Sequence, residues 1–291
     1  MEKTVVRQPR TIMFTNRKGG SGKTTSCIGF ADCLRRRGAR VLVIDLDSQP
    51  GNISTLLGAD KSMNGTAELL SSTEWFEADD LVQHASVCDV VAADSRTPNG
   101  DTRIPMRTLP SNLDKVANEL QQASQTKRLK RALRRFDGMY DYILLDTAPA
   151  AETLNVNAYN AADDVIIPTD CDVMSGCGIQ TIIGDVADRR EDDNPRLRIA
   201  GILIGNYEGA VTVIDRDFAA AVRGECERQG VMPAPVFAHT VRHAKAVKES
   251  HALGVTVMDL VLRPTRRGGT TIKDDFEAVV DEYLACLPEG E

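Results

Sequence analysis

The sequence predicts an α/β protein with a doubly wound, mostly parallel central sheet and helices on both faces. Three observations carry that expectation. Short apolar runs recur at Thr11–Thr15, Arg40–Asp45, Tyr140–Asp146, Asp164–Pro168 and Arg198–Gly205, each without polar alternation. Strands covered on both faces read this way, and all-parallel sheets are covered on both faces. Helical patterns separate the runs, as alternation of strand and helix requires. A glycine-rich turn at 16–22 joins the first run to the first helix.

Taken in order, residues 1–10 are a short polar extension, too short for a DNA-binding module. Thr11–Thr15 reads as the first strand. Lys23–Arg37 follows as a helix ended by Gly38, a residue suited to the left-handed turn that closes helices. Arg40–Asp45 is the second strand. Residues 58–84 read as helical, Val87–Ala92 as a strand, and Asp94–Asp101 as a loop by composition. Asn112–Phe136 reads as one long helix before the strand at Tyr140–Asp146. Residues 270–291 form an acidic C-terminal helix. No repeat, low-complexity tract or linker interrupts the chain, so 1–291 reads as one domain.

Composition excludes several classes. The 291 residues are 42% apolar and 26% charged, ordinary for a globular protein. With 35 Lys and Arg against 42 Asp and Glu, the net charge is −7. A nucleic-acid site on such a chain has to be a local basic patch. The seven cysteines (Cys27, Cys33, Cys88, Cys171, Cys177, Cys226 and Cys286) form no CxxC pair, and no secretory segment opens the chain. Both facts point to reduced thiols and a cytoplasmic protein. No apolar stretch approaches the ~18 residues of a membrane span. His239 and His243 lie one helical turn apart, but no Glu follows the first, so a surface helix is favoured over a metal site.

The strongest signal is Lys18-Gly19-Gly20-Ser21-Gly22-Lys23-Thr24-Thr25 between strand and helix. Glycines let backbone N–H groups curl around an anion, and the helix N-terminus adds positive potential. Lys23 is placed for the β- and γ-phosphates and Thr24 for Mg²⁺, with Thr25 near the α-phosphate. Arg17 occupies the position where the usual loop begins with Gly. Two acids, Asp45 and Asp47, end the second strand, and Asp146 ends the strand Tyr140–Asp146. Carboxyl ends of parallel strands are where open α/β sheets bind ligands.

The loop resembles the deviant Walker A motif of the ParA/MinD group of P-loop ATPases, closest to Soj-like ParA proteins. The likeness runs from about residue 11 to about 262 and is poor over 60–105. It implies ATP and Mg²⁺ as cofactors. It implies that Lys18 crosses to a partner's nucleotide in an ATP-sandwich homodimer, supplying positive charge in trans. Asp47 then activates the attacking water, Asp45 supports Mg²⁺ through its waters, and Asp146 is the Walker B acid. The segment after Asp45 departs from the family's DxDPQGN by Ser48 and an inserted Pro50, and Thr147-Ala148-Pro149 departs by Ala148. Asn206 lies where the family meets adenine.

The resemblance leaves the cargo open. A nitrogenase-iron-protein-like reductase needs cluster cysteines, and none follows Asp146. A MinD-like membrane ATPase needs a basic amphipathic tail, but the C-terminal stretch here is acidic, so no membrane partner is expected. Residues 239–267 carry six Lys and Arg against two acids. Arg242, Lys245 and Lys248 fall at i, i+3 and i+6, one flank of a helix, suited either to nonspecific DNA phosphates or to plain solvation. The family's Asp-x-Arg-Thr after the adenine strand is Glu208-Gly209-Ala210-Val211 here, without the arginine. Lys127–Arg135 holds six cations in nine residues and reads as a second DNA patch or a solvated face. The expectation is a nucleoid-associated partitioning ATPase stimulated by a ParB-like partner. The short N-terminus argues against members that also repress transcription. Alternatives are positioning of a non-DNA cargo, or a small-molecule ATP-dependent enzyme.

Overall fold

The computed structural model describes residues 8–49, 52–60, 63–71, 76–85, 88–91, 112–149, 152–170, 173–205, 220–222, 224–225, 227–229, 236–243, 245–253, 256–260 and 271–288. Seven strands form one sheet: β1 (Arg10–Phe14), β2 (Val41–Leu46), β3 (Gln83–His84), β4 (Asp89–Val91), β5 (Tyr142–Thr147), β6 (Asp164–Thr169) and β7 (Arg198–Ile204). Their order is β3-β4-β2-β5-β1-β6-β7. Every neighbouring pair is parallel except the edge pair β3–β4. Beyond β7, Ile202 bridges Val236, and Val241 donates to the Ile204 carbonyl, so 236–241 runs alongside the last strand.

The apolar runs alternate faces although their composition does not. Met13, Leu42, Ile44, Ile143, Leu145, Val165 and Ile167 enter one core. Ile12, Phe14, Val41, Val43, Leu144 and Ile166 enter the other. The first core is covered by α3 (Thr66–Leu70), α5 (Asn112–Gln122), α6 (Arg128–Leu133), α7 (Glu152–Ala161) and α8 (Val173–Asp192). The second is covered by α1 (Lys23–Arg36), α9 (Lys245–Leu253) and α10 (Ile272–Ala285). Three shorter elements are α2 (Ile53–Leu56), α4 (Ala78–Leu81) and a 3₁₀ turn at Arg134–Phe136. Fold class and central strands are as the sequence predicts, within two residues at each boundary.

Two expectations need correction. The helix over Asn112–Phe136 is broken between Gln122 and Arg128, where Ser124 turns at φ 51°. Buried amides on α7 take over the lost backbone bonds. Asn157 donates to the Gln125 carbonyl and accepts from Leu129 N–H, and Asn160 donates to the Thr126 carbonyl. A helical pattern yields here to tertiary partners that satisfy the same groups. Likewise 58–84 is not helical throughout, but holds α3, α4 and the edge strand β3. Gln83 exchanges hydrogen bonds with the backbone of Asp60, and Thr66 donates to the Asp45 carbonyl, pulling the segment onto β2 and the sheet edge. Of the strand expected over Val87–Ala92, Asp89–Val91 is strand, while Val87 and Ala92 lie outside the described residues.

The acidic C-terminal helix is structural on its inner side. Phe276, Val279, Val280 and Tyr283 are buried. Phe14, Phe30 and Tyr283 form an edge-to-face series at 5.3 and 5.8 Å. The Tyr283 hydroxyl donates to Asp164, fully buried at the start of β6 and also held by Arg10 and Arg198. Gly29 of α1 lets α10 approach closely. A Cβ there would lie 2.4 Å from the Phe276 ring. Gly29→Ala is therefore expected to destabilise the fold by roughly 1–3 kcal/mol. Adding Phe276→Leu should recover part of that loss, and chemical denaturation of the two single variants and the double variant measures the coupling.

Candidate active site

Parallel register brings the chemistry to one end of the sheet. Phe14 pairs with Asp146, and Asp146 pairs with Asp45. The loop after β1, the turn after β2 and the acid near the end of β5 therefore meet. Gly20 and Gly22 sit at φ 75° and 88°, conformations that a side chain would strain. They turn the chain into α1, which starts at Lys23.

Lys23 is buried, and its Nζ lies 3.3 Å from the Lys18 carbonyl. Burial lowers its pKa, opposed by Asp146 and Asp47. The Thr24 hydroxyl donates to Asp146 Oδ2 at 2.8 Å. Asp146 Oδ1 is buried with no hydrogen-bond partner, as is Ser21 Oγ. Burial pushes the Asp146 carboxyl up to about 7, with the Thr24 hydrogen bond acting against it. An unpartnered carboxylate oxygen beside a hydroxyl with free lone pairs is a hard-oxygen donor set, and it fits Mg²⁺. Thr24 and Asp146 are the residues that would hold it.

Asp45 is fully buried, and its carboxylate accepts from Asp47 N–H, Ser54 N–H and the Ser54 hydroxyl. Burial and the neighbouring Asp146 push its pKa well up. With three protein donors on it, Asp45 anchors the turn that carries Asp47. Asp47 is part-buried. Burial raises its pKa, opposed by hydrogen bonding from Gln49 N–H and by Lys23. Asn52 caps α2 and donates to the Asp47 carbonyl. Ser48 bonds Asp114 at 2.9 Å, tying this turn to α5. Thr25 is half-buried at the start of α1, while Gly19 and Gly20 are exposed.

Sequence reasoning missed two partners of the loop. Asn16 accepts from Lys18 N–H and donates to the Pro168 carbonyl, fastening the loop to β6. Asp170, just beyond β6, receives the Lys18 ammonium at 2.8 Å, with both side chains about one-third exposed (40% and 32%). An acid immediately past a parallel strand is the signal that could have found this position.

The expected DNA-contact residues are partly separated. Helix α9 begins at Lys245, so Arg242 precedes it and does not share its flank. The Arg242 guanidinium makes two 2.6 Å bonds to Asp275 on α10. Lys245 and Lys248 are exposed on α9. His239 lies against Glu282. Asn206, Glu208–Val211, Pro50 and Arg263–Arg267 lie outside the described residues, as do the side chains of Cys171, Cys177 and Cys226. Cys27, Cys33 and Cys88 are buried free thiols, and Cys286 is an exposed one. No helix among the described residues is long and apolar enough to cross a membrane.

A family model described as an AAA domain matches residues 9–199. The chromosome-partitioning ATPase Soj of Thermus thermophilus is 32% identical over 254 residues, 84% of this chain and 92% of that protein. The chain belongs to the ParA/MinD-type P-loop ATPases. The partitioning protein ParA of Caulobacter vibrioides is 34% identical over 68% of this chain and 70% of its own length. An uncharacterized Mycobacterium tuberculosis protein is 36% identical over 221 residues, and the match spans only 63% of that relative's length. Among solved structures, cobyrinic acid a,c-diamide synthase of Mycobacterium smegmatis with ADP and magnesium aligns at TM-score 0.65 and 25% identity, over 85% of this chain and 91% of that one. Cyanothece McdA reaches TM-score 0.74 at 19% identity over 95% of this chain and all of that one, a likeness of fold.

The buried Asp146 sets a pH dependence in the P-loop ATPase without nucleotide. A carboxyl with a raised folded-state pKa keeps its proton where the unfolded chain has lost it. The contribution of Asp146 to stability therefore falls as pH rises from about 4 to about 7 and is level above that. Asp146→Asn removes this term. Urea unfolding in chelator should show a shallower decline across the window, by up to about 1.4 kcal/mol per pH unit. An unchanged slope would place the Asp146 carboxyl near its ordinary pKa.

Proposed function

We propose that this protein is a ParA-like ATPase whose ATP-bound homodimer holds nonspecific DNA and releases it on hydrolysis, driving partition of a plasmid or chromosome. The observation that carries this reading is the pairing of two lysines at one loop: Lys23 buried over the phosphate-binding turn, and Lys18 at its exposed mouth, held by Asp170. The Soj and ParA relatives support it.

In this reading backbone N–H groups of residues 19–24 and the Lys23 ammonium bind the triphosphate. Thr24 and Asp146 would hold Mg²⁺, which would supply charge neutralisation on the phosphates. Asp45 fixes the Asp47 turn, and Asp47 orients the attacking water. Lys18 leaves Asp170 for the partner's nucleotide, so dimerisation follows ATP. Lys245 and Lys248 of both protomers meet DNA phosphates without reading bases. A ParB-like partner accelerates hydrolysis and the dimer opens.

A second reading has one observation behind it, the likeness to cobyrinic acid a,c-diamide synthase with a bound ATP analogue at 26% identity. An ATP-dependent amide-forming enzyme on this fold would activate a small carboxylate beside the γ-phosphate. Turnover that needs neither DNA nor protein partner, and that rises with a carboxylate and an amine donor, distinguishes it.

Light scattering and DNA binding with ATP, ADP or no nucleotide test the main reading. Lys23→Ala is expected to lose nucleotide binding by roughly 2–5 kcal/mol. Lys18→Ala should bind ATP yet stay monomeric and off DNA. Asp170→Asn should dimerise at lower ATP than wild type, because Lys18 no longer has a carboxylate to leave. For wild type with ATP, four lysines per dimer give a log–log salt slope of roughly −3 to −4. Wild type that ignores DNA in every nucleotide state defeats the partition reading. Wild type that stays monomeric with ATP defeats the sandwich.

A further inference from the structure

Six basic residues crowd Lys127–Arg135, and the structure divides them into two sets. Lys127 pairs with Asp193 at 2.7 Å. Arg128 donates to the carbonyls of Leu70 and Ser71, and Arg135 to that of Ala132. These heads are half-buried, and those of Lys127 and Arg128 fasten α6 to its neighbours. Lys130, Arg131 and Arg134 are exposed, and among the described residues no carboxylate forms an ion pair with any of them. Leu129, Ala132 and Leu133 bury the inner side of α6, so Lys130 and Arg131 lie on its outer side, and Arg134 follows directly in the 3₁₀ turn.

The exposed Lys130, Arg131 and Arg134 form a local positive patch on a protein of net charge −7. Burial and the adjacent Arg131 lower the pKa of Arg128, and burial and Arg128 lower that of Arg135. Guanidinium groups keep their protons at neutral pH, so the exposed Arg131 and Arg134 stay charged. The patch has no apolar centre of the kind a protein interface builds around. The exposed large apolar side chains among the described residues, Met63, Met139 and Leu253, all lie outside α6. Cations without an apolar core suit a phosphodiester backbone, which asks for charge and reach alone.

The position of the patch adds a second point. Leu129 and Leu133 pack into the core that holds Met13 and Ile44. Ala246 and Val247 of α9 pack on the opposite core, with Ile12 and Phe14. The two basic surfaces therefore lie on opposite sides of the sheet, and a straight duplex on one does not reach the other.

We propose that Lys130, Arg131 and Arg134 form a second contact for nucleic-acid backbone, separate from α9, so that one assembly grips two DNA segments. The bridging rests on the reading that Lys245 and Lys248 bind DNA, while the α6 contact stands without it. The test uses the full chain with ATP in four forms: wild type, K130A/R131A/R134A, K245A/K248A, and the five-fold combination. All five positions are exposed, and ATP binding by each form checks folding. Anisotropy of a labelled duplex across salt measures single-duplex binding. Capture of labelled duplex onto beads carrying unlabelled duplex measures bridging.

The triple variant is expected to keep one-duplex binding, with a salt slope set by Lys245 and Lys248, and to lose capture. Binding and capture equal to wild type overturn the inference. Loss of all binding in the triple variant, with K245A/K248A unaffected, upholds the α6 contact while removing DNA from α9. No DNA binding by wild type overturns both, and patch-dependent binding of poly-glutamate instead assigns the surface to an acidic polypeptide.

Discussion

Two fully buried carboxyl groups stand side by side, and the rest of the site is arranged to make that tolerable. The parallel register of β1, β5 and β2 places Asp146 opposite Asp45, both fully buried. Buried like charges are expensive unless donors and cations answer them. Asp45 is answered by Ser54 and the backbone of Asp47, and Asp146 by Thr24 with Lys23 nearby. Each answer fixes a piece of backbone. Thr24 reaches Asp146 only if α1 begins where it does, and that start needs Gly20 and Gly22 at positive φ. Ser54 reaches Asp45 only if α2 closes directly behind the Asp47 turn. The loops at this end of the sheet are thus placed by electrostatics more than by apolar contact.

The two loop lysines differ in what they cost to move. Lys23 is buried among acids, and displacing it would leave carboxylates uncompensated in a low-dielectric site. Lys18 and Asp170 form a part-exposed pair. Such pairs contribute about 0–1 kcal/mol because water competes for both partners. The geometry therefore fixes one cation and leaves the other exchangeable at small cost. Asn16 keeps the Lys18 backbone still while its side chain is free to change partners.

Much of this was legible in the sequence, for a physical reason. Strands covered on both faces have to be apolar throughout, and a phosphate loop needs glycines and a lysine at fixed spacing, so both leave local signatures. The sheet class and the convergence of Lys23, Thr24, Asp45 and Asp146 follow from them. What stayed hidden depends on distant partners. The break after Gln122 is stabilised by Asn157 and Asn160, some thirty residues on. The Lys18–Asp170 pair spans 152 positions. Arg242 looks like a helix-face cation in one dimension, yet Asp275 holds it in three. Periodicity reports which face a residue occupies and says nothing of which charge will meet it there.

Under the proposed partitioning role, the charge distribution bears on how the protein would let go of DNA. At a net charge of −7 the protein's overall field opposes a polyanion. At physiological salt that field decays over about 8 Å, so only cations in near contact attract. Asp275 holds Arg242, so that on the α9 side, among the described residues, the proposed DNA contact rests on Lys245 and Lys248, few enough to be weak in one protomer. Weak contacts of this kind hold only when several are joined, and a dimer doubles them without any change within the protomer. Separation of the protomers then suffices to lose the grip. The acidity of α10 has a use in this scheme: by tying down Arg242 it keeps single-protomer affinity low, so that attachment follows the assembly state.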